Sequence, residues 1–177
     1  MTPDDVVSFW QQAGPSLWFA KDADFDRRFR EGFLCAHEAA TRGEFDGWLA
    51  SPNGTLALLI LLDQFPRNAF RGTARMYASD VSACEVAEHA IAAGHDKQVC
   101  PELRNFFYLP LSHSEDLAAQ ERAVALTSEL DQDSVRDAER HRDIIRRFGR
   151  FPHRNAILGR ATTEEEQQFL DQGGFAG

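Results

Sequence analysis

The sequence predicts an all-α protein, a single domain of antiparallel helical pairs. Apolar residues recur at helical spacing along most of the chain, and no stretch alternates apolar and polar residues as a half-buried strand would. The segments between the periodic stretches are short, which favours neighbouring helices packed as antiparallel pairs.

The predicted helices run in order. Residues 3–12 form the first. In 24–42, Phe25, Phe29, Phe33, Ala36 and Ala40 fall on one face, with Asp22 or Asp24 to begin the helix and Gly43 to end it. Helices at 44–50 and 53–65 follow. Leu56 to Phe65 is apolar on nearly all sides but has Ile60 as its only β-branched residue, so it reads as a buried helix rather than a strand. Pro66 is expected to end it, because the residue before a proline is pushed out of the α region. Further helices are expected at 69–78, 80–93, 101–109, 112–130, 134–148, 155–160 and 163–172. Capping-box-like starts support four of them: Ser82-Ala-Cys-Glu85, Ser112-His-Ser-Glu115, Ser134-Val-Arg-Asp137 and Thr163-Glu-Glu-Glu166. Gly94 and Gly149 sit where helices should stop. The domain is expected to span 1–172, with a frayed tail at 173–177.

Composition narrows the function classes. The chain has 177 residues, 43% hydrophobic, with 28 acidic and 19 basic side chains and a net charge of -9. That is enough apolar material for a core, which excludes general disorder. The longest apolar run, Leu56 to Leu62, is seven residues, far short of a membrane span, so no membrane association is expected. Asp4 and Asp5 stand where a signal peptide would be basic, and Cys35, Cys84 and Cys100 have no metal-ligand spacing, so reduced thiols in the cytoplasm are expected. Phosphate loops, dinucleotide fingerprints, Glu-x-x-His pairs and His-Glu-x-x-His are missing, so neither cofactor nor metal is expected.

The net charge conceals a segregation. Residues 136–160 carry eight arginines and a net +5, residues 63–75 carry +2, and the remaining 139 residues hold -16. Seventeen of the 19 basic residues are Arg, whose planar fork suits carboxylates and phosphates. A polyanion is repelled by most of such a surface, so nucleic acid is not an expected partner. A small enclosed anion or an acidic peptide end remains compatible.

One run of residues occurs twice. Phe65-Pro66-Arg67-Asn68-Ala69-Phe70-Arg71-Gly72 and Phe151-Pro152-His153-Arg154-Asn155-Ala156-Ile157-Leu158-Gly159 match at Phe, Pro, Arg, Asn, Ala and Gly once His153 is taken as an insertion. In each, the proline is expected to stop one helix and the asparagine to cap the next, leaving Arg at the elbow.

Over nearly its whole length the chain resembles a bacterial family named domain of unknown function 924. The resemblance lies in Trp18-Phe19, Leu61-Leu62-Asp63-Gln64-Phe65-Pro66-Arg67-Asn68, Leu109-Pro110-Leu111-Ser112-His113-Ser114-Glu115 and His141-Arg142-Asp143-Ile144-Ile145 through Arg160. It implies an all-α, tetratricopeptide-like α-α superhelix and supplies no activity. The segment before Trp18, with Gly14-Pro15, is shorter than the family pattern.

The candidate ligand-binding residues are Asp63, Arg67, Asn68, Arg71, His113, Arg150, His153, Arg154 and Asn155, with His113, His153 and Glu115 as candidate catalytic groups. Three readings stand side by side. In the first, an Arg/His-lined cleft binds a small anion or an acidic peptide end, helped by a helix N-terminus near Asn68. In the second, a hydrolase or transferase uses His113 or His153 as general base, His113 lying in the first turn of its helix, with Arg stabilising the anionic charge. In the third, the arginines pair with the chain's own acids and only brace the corners of a structural or interaction scaffold. His141 falls on the apolar stripe of Val135, Ala138, Ile145 and Phe148 and reads as a core histidine. Trp18, Phe19, Phe106, Phe107 and Tyr108 read as core.

Overall fold

A computed structural model describes residues 1–175; within them every regular element is a helix or helical turn, and none is a strand. The chain gathers into two compact units, Met1–Arg71 with Arg75–Pro110, and Gly72–Ala74 with the chain from Leu111 onward.

In the first unit α1 (Pro3–Ala13) begins with a complete Thr2/Asp5 capping box. After α2 (Pro15–Trp18), Asp22 caps α3 (Ala23–Thr41) by accepting from the Phe25 N–H. Trp10, Phe25 and Phe29 are essentially inaccessible, and Phe9 stacks on the Phe25 and Phe29 rings at 5.7 and 5.2 Å. Each such side chain contributes about 1.5–3 kcal/mol on burial. Trp18, Phe106, Phe107 and Tyr108 join the core as expected, but Phe19 is 65% exposed, lying flat against Phe106 at the rim.

α4 (Pro52–Leu59) is buried from Gly54 onward and packs against α1 and α6 (Asp80–Ala92). Gly54 lets the start of α4 lie close against the preceding 3-10 turn, Asp46–Ala50: a Cβ there would lie 2.1 Å from the Trp48 carbonyl oxygen and 2.8 Å from the Ser51 hydroxyl.

The expected stop at Pro66 does not occur. The helix widens into a π-turn at Ile60–Gln64, with the Phe65 N–H reaching the Ile60 carbonyl, and continues as α5 (Phe65–Ala69) with Pro66 in its first turn. Widening makes room for a pyrrolidine ring that would otherwise press on a carbonyl one turn back. It also strands carbonyls that Pro66 cannot serve, and side chains from elsewhere take them. His37 Nδ1 lies 2.9 Å from the Leu61 oxygen, the Ser79 hydroxyl donates to the Leu62 oxygen at 2.6 Å, and Arg67 donates to the Asp63 oxygen at 2.8 Å. With its hydroxyl so used, Ser79 precedes α6 without capping it, and the expected Ser82/Glu85 box lies inside the helix instead.

The chain then runs through a 3-10 stretch, Pro101–Phe107, into the short α7 (Leu109–His113). In the second unit α8 (Leu117–Thr127) is capped by Asp116 and α9 (Gln132–Phe148) by Asp131. The predicted helix at 112–130 is thus broken in two, and neither Ser112/Glu115 nor Ser134/Asp137 forms a box. His113 ends a helix where the first turn of one was expected. Residues 155–159 are turns following a 3-10 turn at Pro152–Arg154, where a helix over 155–160 is expected from the sequence, and α10 (Glu164–Asp171) starts from the expected Thr163/Glu166 box. Ile144, Ile145 and Phe151 make the core, with Phe148, Phe169 and Phe175 packed on it. The Gly174 N–H bonds the Phe169 carbonyl at 2.9 Å and Phe175 packs on the core; the last two residues of the predicted tail lie outside the described residues.

Gly54→Ala is expected to lower unfolding free energy by about 1–3 kcal/mol through overpacking at the Trp48 carbonyl, measured by urea denaturation, whereas Gly47→Ala, where a Cβ meets nothing within 4 Å, is expected to leave it nearly unchanged.

Candidate functional site

The two repeated runs fold alike in part. Phe65 and Phe151 are both fully buried anchors, and each run ends on a glycine with left-handed φ, +75° at Gly72 and +66° at Gly159. Between these points they differ, the first being α-helical and the second a 3-10 turn followed by open turns. The first run belongs to the first unit as far as Arg71, and the second run to the second unit.

At the first corner Asp63 is 1% exposed. A carboxylate so placed needs a cation, and Arg67 from the next turn supplies it at 2.9 Å while its other arm meets Asp80 at 2.9 Å. Burial opposes the Arg67 charge, but Asp63 and Asp80 outweigh it and raise the guanidinium above its usual range. Gln64 donates to the second Asp63 oxygen at 2.6 Å. Asn68, expected as a cap, sits inside α5 and donates instead to Asp26 at 2.8 Å; Arg71 clasps the same carboxylate at 2.5 and 3.2 Å. The helix N-terminus expected near Asn68 as an anion site is therefore replaced by a continuous helix.

At the second corner Arg150 grips both oxygens of the buried Glu166 at 2.6 and 2.8 Å. Glu166 is drawn down to about 2, first by Arg150, with the Thr163 N–H and Asn155 amide adding to it against the cost of burial. Asn155, also expected as a cap, links Glu166 at 3.3 Å to Arg160 at 3.0 Å. Arg160 in turn holds Glu115 through both arms, at 2.7 and 3.0 Å, and Glu115 also accepts from the Phe151 N–H at 2.8 Å. Burial pushes the Glu115 carboxyl up, but Arg160 and that N–H prevail and lower it. Arg154 lies over the Phe151 ring at 4.4 Å and donates to the His113 carbonyl at 2.9 Å.

Three histidines gather round Phe151. His113 and His141 stand 6.1 Å apart between ring centres, and His141 and His153 are each 5.6 Å from Phe151. Phe175 covers His141 and His153 at 4.6 and 5.1 Å. His141 Nδ1 is 2.6 Å from the Asp137 carbonyl, which can only accept, so that nitrogen carries the proton. His153 Nδ1 is buried without a hydrogen-bond partner among the described residues. Burial first, then the charge of Arg154, pulls His153 down to about 4, so it is neutral at pH 7.

The structure thus brings His113, Glu115, His153, Arg154 and Asn155 together in the second unit, with Arg150 held by Glu166 at the same corner, while Asp63, Arg67, Asn68 and Arg71 form a separate network in the first. Arg146, four residues before Arg150, pairs with Glu121 and Asp143. Sequence reasoning missed Asp26, Asp80 and Glu166. Glu166 was visible only as a capping residue, and Asp26 lies 42 and 45 residues from its partners with no local signal.

Comparisons with known proteins agree on kinship and are silent on activity. A family model described as bacterial protein of unknown function, DUF924, matches residues 6–174. A solved protein of unknown function from Agrobacterium tumefaciens is 57% identical, with a TM-score of 0.95 over 97% of each chain. No curated protein matches significantly. With its family motifs folded into these two networks, the chain belongs to the DUF924 family of bacterial proteins.

Proposed function

We propose that this protein is a structural or interaction scaffold in which arginines brace the two corners. One observation carries the reading: Arg67, Arg71, Arg150 and Arg160 all face carboxylates of their own chain, the last three each gripping one carboxylate through two nitrogens and Arg67 spanning two carboxylates. A guanidinium fork filled by a bidentate carboxylate has few donors left for an outside anion. Among the described residues no helix is long and apolar enough to cross a membrane. A cytoplasmic setting is supported by three cysteines that remain thiols.

A second reading, a small anionic ligand or acidic peptide end, rests on the second unit. Among the described residues His153 offers a buried ring nitrogen without a hydrogen-bond partner, beside Arg154 and His141. The hydrolase or transferase reading is less well supported. A histidine pulled to about 4 is a weak base at neutral pH, and Glu115 is already held by Arg160 and the Phe151 N–H.

Removing the guanidinium of Arg67 leaves Asp63 buried and unbalanced, so Arg67→Ala is expected to cost about 3–5 kcal/mol in urea denaturation. Arg154→Ala is expected to lower the thermal midpoint, while phosphate, citrate and acetylated acidic peptides leave the wild-type midpoint unmoved. A ligand-induced rise that Arg154→Ala abolishes, with its own stability intact, would favour the second reading.

Acid should weaken the second unit in two stages. Between the ordinary histidine value of 6.5 and about 4, the unfolded chain binds a proton that folded His153 refuses, so stability falls as pH drops through that window. Below 4.5, towards about 2, Glu166 adds a second loss, because its carboxylate is easier to protonate once unfolded. His153→Gln is expected to flatten the first stage of the urea midpoint against pH and leave the second in place.

A further inference from the structure

We propose that a groove along α9 of the second unit binds an amphiphilic monoanion, a single carboxylate carried on an aliphatic or aromatic body. Arg136, Arg140, Ile144 and Phe148 recur every fourth residue along α9, with Arg147 three residues after Ile144, so one helix face presents three cations beside two apolar groups. Phe169 of α10 and Phe175 complete the floor. The space is about 480 Å³, within the roughly 300–1,000 Å³ typical of small-ligand sites. Phe148, Phe169 and Phe175 pack on Ile144, Ile145 and Phe151 but are themselves only half-buried, which leaves apolar ring surface to the groove.

The charges favour an anion. Arg140 lies 5.2 Å over Phe175, and Arg147 lies 4.6 Å over Phe148 and 5.9 Å over Phe169. A guanidinium stacked on a ring keeps its N–H edge available to a carboxylate. Among the described residues Arg140 has no acidic partner. Arg136 and Arg147 pair with Asp133 and Glu165, but those contacts are more than half exposed and hence exchangeable. Two acids also line the groove. Asp143 is already held by Arg142 at 2.9 Å and Arg146 at 3.5 Å; Glu139 adds a carboxylate to the lining, which disfavours a polyanion. No corner residue lines this groove, so the proposal stands apart from the brace reading.

Titration of the full chain with octanoate, followed by NMR and calorimetry, tests it. Saturable binding is expected with a dissociation constant of about 1 mM, the scale for a ligand of that size. Acetate, which lacks the body, and octyltrimethylammonium, which reverses the charge, are each expected to bind at least about tenfold more weakly. Arg140→Glu is expected to weaken octanoate by about tenfold or more with unchanged circular dichroism and urea midpoint; Arg140→Gln serves if that variant misfolds. Ring signals of Phe148, Phe169 and Phe175 should move together. The proposal is overturned by no saturation up to about 10 mM, by equal affinity in the Arg140 variants, by equal binding of the cation, or by shifts confined to other residues. Its failure leaves the corner-brace measurements untouched.

Discussion

A carboxylate taken out of water must be answered by a cation and by hydrogen bonds, and the buried Asp63 imposes that requirement on the first unit. Arg67 answers it from one turn away, which demands that the chain stay helical through Pro66. The π-turn is the backbone's solution, and its stranded carbonyls then call in His37 from α3 and Ser79 from the residue before α6. Asp80, the first residue of α6, closes the network on Arg67. The ion pairs on Arg67 and the hydrogen bonds to the π-turn carbonyls together tie α5, α6 and α3 to one another.

Such a pair adds modest net stability, because desolvation offsets most of its attraction, yet breaking it is costly. Its effect is to penalise alternative packings. The second unit uses the same physics with different geometry. Glu166 and Glu115 each take a bidentate arginine, and Asn155 bridges the two clusters. Glu166 also caps α10, so one carboxylate starts a helix and fixes a corner. The histidines around Phe151 inherit a dry, positively biased setting in which His153 stays neutral.

The long periodic elements were legible in the sequence: α1, α3, α6, α9 and the Thr163 start of α10 follow from apolar spacing and caps. Short elements were not. α2 and the 3-10 turns have too few residues for a period, and Pro66 was read by a local rule that tertiary hydrogen bonds override. The candidate site was legible as a set of residue types and not as a set of contacts. Asn68 and Asn155 were chosen as caps because caps are local, whereas their real partners lie on other helices. Glu115 was assigned to a capping box by spacing alone, yet it serves the Phe151 N–H and Arg160, 36 and 45 residues away.

The charge count needs the same correction. A net +5 over residues 136–160 suggested cations awaiting an anion, but net charge over a segment does not say which charges are engaged. Arg150 and Arg160 are neutralised by Glu166 and Glu115, both outside that window, in contacts too sheltered to exchange readily. Along α9 the pairs are exposed and their attraction is weakened by water. Burial, rather than the number of arginines, therefore separates the two regions: where guanidiniums are sheltered they hold the fold, and where they lie on aromatic rings at the surface they remain available to a partner.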